Sequence, residues 1–184
     1  MRFGRAYRTF RQRDCFMAEK ILVAFATRAG STAEVAQEIG KQLMDAGYVV
    51  DVLAAPKVKD LTPYRAVILG SAVRIARVLP EAVKFMKQHS KALKTLPTAY
   101  FLVNLTMKED TPEHRAAAQG FAAPLCALKE PVSLGLFGGV FDPERLTGLW
   151  RIFMSKSDLP RGDFRDWAAI HNWTDELIPK LPAP

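Results

Sequence analysis

The chain predicts an α/β fold in which five parallel strands, in the order 2-1-3-4-5, form the middle layer of a three-layer sandwich. Three observations lead there. Short apolar runs with β-branched and aromatic members alternate with stretches of helical spacing, and parallel neighbours need crossovers that cover both sheet faces. At 184 residues there is enough chain for one such core and too little for two ordinary domains. A balance of 49% hydrophobic and 24% charged residues is globular and leaves no long low-complexity or disordered tract.

Ile21 to Ala26 is an apolar run suited to a strand buried on both faces. From Thr32, apolar residues recur at Val35, Ala36, Ile39, Leu43 and Met44, so a helix is expected up to the stop at Gly47. Tyr48 to Leu53 reads as the second strand, and Ala66 to Gly70 as the third, running into Ser71, with loop between them. Pro80 opens a helix whose buried stripe is Ala82, Val83, Phe85, Met86 and Leu93. Ala99 to Val103 is the fourth strand, and Pro112 starts a helical stretch through Phe121 and Leu125. Val132 to Phe141 gives a fifth strand loosened by Gly135, Gly138 and Gly139. A last helix is expected from about Asp163 to Leu181, with Trp167 in the core.

Residues 1–17 read as a basic extension outside the fold, and 18–184 as the domain. Before Met17 stand Arg2, Arg5, Arg8, Arg11 and Arg13 against Asp14 alone, so removing five positive charges and one negative lowers the net charge from +7 to +3. Most of the basic character therefore lies outside the domain, which argues against a nucleic-acid partner. The extension lacks the continuous apolar core of a secretory signal. Cys15 and Cys126 form no CxxC or metal-ligand pattern, so no metal site is expected and a reducing cytoplasm suits the chain. No apolar run approaches the roughly 18 residues of a membrane-spanning helix.

In an open sheet of this order, ligands bind where connections leave the first and third strands in opposite directions, at the carboxyl ends. Thr27-Arg28-Ala29-Gly30-Ser31-Thr32 follows strand one and joins hydroxyls to a flexible glycine just where a helix presents unpaired N–H groups, which suits a phosphate monoester. Ser31 or Thr32 would equally cap that helix with no ligand, so the loop alone admits both readings. Ser71-Ala72-Val73-Arg74-Ile75 and Asn104-Leu105-Thr106 follow strands three and four, and the three loops are expected to converge. There is no GxxxxGK[ST] for a nucleoside triphosphate and no GxGxxG for a dinucleotide.

The segment Ala26 to Thr32 resembles the T-x-x-G-x-T phosphate loop of flavodoxins. With Ile68-Leu69-Gly70-Ser71-Ala72-Val73-Arg74, Phe101 to Leu105 and Gly162 to Trp167, the order and spacing are similar to the flavodoxin-domain family that includes the menaquinone-dependent protoporphyrinogen IX dehydrogenases. The likeness covers about Lys20 to Leu181. It implies a flavodoxin-like sandwich binding FMN, with the phosphate on Thr27 to Thr32 and the isoalloxazine ring between the Ser71 and Asn104 loops. It also implies a flavoprotein oxidoreductase of haem biosynthesis that passes electrons from a small-molecule substrate to quinone. The alternative is an electron-transfer module with no organic substrate. Phe141 to Asp163 occupies the place of the family's insertion after strand five and is shorter.

Carriers in the family sandwich the ring between tryptophan and tyrosine, whereas Val73, Arg74, Ile75, Leu105, Thr106 and Met107 offer no aromatic. That favours a dehydrogenase with a more open ring. Arg28 and Arg74 are the cations within the candidate loops, Arg74 being the better placed for ring or substrate. His114 reads as an exposed helix histidine, and His89 and His171 as structural. Arg145 to Lys156 places Leu146, Leu149, Trp150 and Phe153 at helical spacing among cations. Such a stripe is expected to pack as a lid, with peripheral contact to the inner face of a membrane as its other use.

Overall fold

A computed structural model describes residues 20–145 and 161–184. The stretch 146–160, which carries nearly all of the proposed lid, and the basic extension both lie outside the described residues.

Strand β1 (Lys20–Ala26) leads into helix α1 (Ser31–Asp45), then β2 (Val49–Ala54) and the long β3 (Tyr64–Arg74). A two-residue β4 (Arg77–Val78) precedes α2 (Pro80–Gln88), α3 (Ser90–Leu93) and β5 (Thr98–Asn104). Next come α4 (Pro112–Gly120), α5 (Ala123–Cys126) and β6 (Leu134–Gly138), then the short β7 (Val140–Phe141) and β8 (Gly162–Asp163), and finally α6 (Trp167–Leu177). The main sheet runs β2-β1-β3-β5-β6, all parallel, which is the expected order.

Alternation along the strands divides the core in two. Leu22, Ala24, Val67, Leu69, Tyr100 and Leu102 face Ala82, Phe85, Met86, Leu93 and Leu125 on one side. Ile21, Val23, Ala66, Ile68, Ala99 and Phe101 face Val35, Ile39 and Leu43 of α1 and Ile170, Trp173 and Leu177 of α6 on the other. Two helical layers thus clamp a sheet whose central strands show both faces to apolar neighbours. The pairing leaves the carboxyl ends level, because Ala26 pairs with Ser71, Ala72 with Val103 and Asn104 with Gly138. Gly70 is required beside Phe101, since a Cβ there would lie 2.0 Å from the Phe101 ring.

Several boundaries differ from expectation, each for a local reason. Strand β3 continues through Arg74, so Ala72, Val73 and Arg74 are strand residues and not loop; Val73 and Arg74 pair back with Val78 and Arg77 in a hairpin. The fifth strand ends at Gly138, where the chain leaves β5 and pairs Val140 with Asp163 and Phe141 with Gly162. Close approach drives this departure: a Cβ on Gly138 would lie 2.0 Å from the Phe164 carbonyl oxygen. The helix after Pro80 breaks at His89, and the one after Pro112 ends at Gly120. A 3₁₀ turn at Ala55–Lys57 interrupts what was expected to be plain loop.

The last helix starts at Trp167, later than expected, because Asp166 caps it by accepting from the Ala169 N–H at 3.0 Å. Trp167 is not a core residue: it is 37% exposed, and the Arg165 guanidinium covers its ring at 4.6 Å. The buried tryptophan of this helix is Trp173, packed edge-on to Phe137.

Candidate functional site

The loop after β1 turns on Gly30, whose φ of 94° is left-handed and costs glycine nothing. Its N–H donates to the Thr27 hydroxyl at 3.1 Å, and its carbonyl accepts from Ala33 and Glu34 to start α1. Ser31 and Thr32 enter the first helical turn, where N–H groups have no intrahelical acceptor. No side chain caps this helix, so the capping alternative for Ser31 and Thr32 is not realised. Thr32 is fully buried, yet its Oγ1 has no protein partner.

A cavity of about 460 Å³ opens at the level carboxyl ends, within the ~300–1,000 Å³ usual for small-molecule sites. Thr27, Arg28, Ala29 and Ser31 contribute from the first loop, Ala72, Val73, Arg74 and Ile75 from the β3 hairpin, and Asn104, Leu105 and Thr106 from the end of β5. The three predicted loops therefore converge. Three predicted residues are absent from the wall. Gly30 shapes the loop, and Thr32 lies beneath it. Ser71 is fully buried and turned to internal use, its hydroxyl donating to the Ala72 carbonyl at 2.8 Å and accepting from the Leu79 N–H at 3.0 Å.

Asn104 is only 4% exposed and closes the floor. Its Oδ1 accepts from the Met107 N–H at 3.1 Å, which holds the turn after β5, while its Nδ2 is buried with no protein partner. Thr32 Oγ1 and Asn104 Nδ2 thus leave one unsatisfied polar atom near each end of the loop cluster. Gln42, Arg65 and Glu81 also keep a buried polar atom without a protein partner, but of the five such residues described only Asn104 lines the cavity, and Thr32 directly follows the wall residue Ser31. A ligand in the cavity would offer Asn104 Nδ2 the acceptor it lacks.

The hairpin tip is strained. Ile75 and Ala76 have φ of 50° and 55°, the conformation of a two-residue hairpin turn that ordinarily takes Asn-Gly. Ile75 is 80% exposed at the cavity rim. Arg28 forms an ion pair with Glu81 at the start of α2, tying the first loop to the opposite helical layer. Burial alone would raise the Glu81 carboxyl. The Arg28 hydrogen bond, its own backbone N–H and the Arg28 charge outweigh that and hold it below the ordinary 4.5.

The wall also holds Ala76, Val103, Phe121, Gly139, Val140, Phe141 and Asp142, which sequence reasoning did not name as site residues. Two aromatics, Phe121 and Phe141, thus reach the cavity from outside the three loops. The Gly138-Gly139 pair was the only local signal for the β6 end, and Phe121 had none. His114 lies off the cavity on α4, its Nδ1 against the Glu109 carbonyl at 2.9 Å. His171 pairs with Glu38, and His89 packs on Phe85. Among the described residues no cluster could hold a metal ion, and no helix is long and apolar enough to cross a membrane.

The model of a family described as the flavodoxin domain matches residues 22–166. Over 107 residues the chain is 28% identical to the protoporphyrinogen IX dehydrogenase (quinone) of Escherichia coli strain K12, covering 55% of this chain and 59% of that protein. The chain thus spans about three-fifths, 59%, of the length of the E. coli relatives it matches. A Leishmania major protein of the same name is 25% identical over 175 residues, 86% of this chain and 74% of that one. Oxidised flavodoxin 2 from Bacillus cereus superposes with a TM-score of 0.50 at 19% identity, covering 88% and 99% of the two chains. Two-electron reduced Megasphaera elsdenii flavodoxin superposes with 0.51 at 14% identity, covering 63% and 84%. These structural likenesses carry the fold.

Proposed function

Because the chain belongs to the flavodoxin-domain family, we propose that its cavity holds FMN and that the protein is an oxidoreductase of the protoporphyrinogen-dehydrogenase type, passing electrons from an organic substrate to quinone. The observation that carries this reading is the cavity built from three loops at the strand ends, with the unsatisfied Asn104 Nδ2 on its wall and the wall residue Ser31 in the first turn of α1. The chemistry of these groups suits FMN. A hydroxyl and free N–H groups at a helix start suit a phosphate monoester, and a buried amide donor among apolar walls suits the rim of a polar heterocycle.

When bound, FMN supplies the two-electron chemistry, accepting reducing equivalents from a donor and returning them to an acceptor. The chain's own residues bind, orient and shield. Thr27, Ser31 and Thr32 would hold the phosphate with the N–H groups of the first turn, and Asn104 would fix the ring's polar edge. Val73, Leu105, Phe121 and Phe141 would exclude water, and Arg74 at the wall would meet negative charge on the ring or an acidic substrate.

The test is to reconstitute the protein with FMN and assay protoporphyrinogen IX oxidation anaerobically with a quinone acceptor. The expected result is one FMN per chain and quinone-dependent turnover. FMN binding without turnover, together with fast electron exchange with redox proteins, would select the substrate-free carrier. A folded protein that cannot be loaded with FMN would overturn the proposal.

A further inference from the structure

A carboxylate stands at the helix end proposed for the phosphate. Glu34 lies in the first turn of α1, and its Oε1 would sit 3.8 Å from a Cβ placed on Gly30. A glutamate there is attracted by the same field of free N–H groups that suits a phosphate, so the two compete for one end of one helix. A second negative charge beside a phosphate dianion also opposes binding directly.

Arg165 takes hold of that carboxylate. Its side chain is only 7% exposed, and its Nη1 donates to Glu34 Oε2. Its Nε and Nη2 donate to the two carboxylate oxygens of Asp163 at 2.8 and 2.6 Å, and Trp167 stacks on the guanidinium at 4.6 Å. The fork is thereby fixed in place from the segment that joins β8 to α6. Resting on the flavin reading, we propose that Arg165 is a positioning residue for the phosphate. It neutralises Glu34 beside the α1 N-terminus, and so sets the preference of the site for phosphorylated flavin over riboflavin.

The test is to measure dissociation constants for FMN and riboflavin by flavin fluorescence in wild type, Arg165→Gln, Glu34→Gln and the double variant. Arg165→Gln is expected to weaken FMN by about tenfold or more and riboflavin by less than about threefold, with Glu34→Gln restoring FMN affinity in the double variant. Equal losses for both ligands, no loss at all, or no rescue would overturn the inference while leaving the flavin reading intact. Should Arg165→Gln fail to fold, Glu34→Gln alone decides: tighter FMN with unchanged riboflavin supports the inference, and no change in either overturns it. Wild-type protein that binds neither flavin overturns the flavin reading and this inference with it.

Discussion

Gly30 and Ile75 both adopt left-handed backbone at the cavity, but only one is a glycine. At Gly30 little surrounds the missing Cβ, so any cost of substitution is torsional. Gly30→Val is expected to weaken FMN binding by tenfold or more, about 1.4 kcal/mol, in a protein that still folds. Titration of the variant checks this, and unchanged affinity would remove the loop from the phosphate site. Ile75 carries a β-branched side chain at φ 50° with most of it in solvent. Ile75→Gly should relieve about 1–2 kcal/mol of strain, less about 0.4–1 kcal/mol for the added freedom of the unfolded chain. The FMN-free variant should therefore melt slightly higher yet bind FMN more weakly, opposite signs that thermal melts and titration separate. Most of the wall was legible at this scale because Thr27 to Ala29 with Ser31, Ala72 to Ile75, and Asn104 to Thr106 sit on three adjacent strand ends. Phe121 and Phe141 were not, because the α4–α5 junction and the β7 ladder bring them in only through tertiary packing. Trp167 misled because it continues the spacing of Ile170 and Trp173, but it sits at the first helical position, where Arg165 covers it in place of the sheet.

Elements in the two helical layers meet across the site through Arg28 and Glu81. Because the folded Glu81 carboxyl lies below its ordinary 4.5, the stability it contributes is fully present above that value and is lost as pH falls through the lowered one. The pair is partly exposed, so its worth is at most about 1 kcal/mol. Glu81→Gln should melt a few degrees lower at neutral pH, and the gap should narrow as pH falls below the ordinary 4.5 and close once it has passed the lowered value, as melting curves across pH would show. A gap that persists there would mean the glutamine harms packing and not charge. Element identity and strand order were readable because periodicity changes sharply at Gly47, Pro80 and Pro112. The ends of β3 and β6 were not, since the turn at Ile75-Ala76 lacks the residues that announce a hairpin and the exit at Gly138 is forced by Phe164, 26 residues later.

Across the whole molecule, the unsatisfied atoms at Thr32 and Asn104 couple folding to ligand. FMN at about 100 times its dissociation constant should stabilise the fold by about 2.7 kcal/mol, which for a chain of this size raises Tm by about 5–10 °C. A thermal shift series in FMN checks it, and a flat response would uncouple the cavity from the flavin. The antiparallel pairing of β7 with β8 has a separate consequence. By joining Phe141 to Gly162 it brings two points 21 residues apart in sequence together at a neck, and closing a connection costs little more as it lengthens, about 0.6 kcal/mol per doubling. Asp142, the first residue past the neck, already lines the cavity. Insertion or deletion between the paired ends should therefore leave the sheet standing, and Asp142 is where a change of length there would first reach the cavity wall.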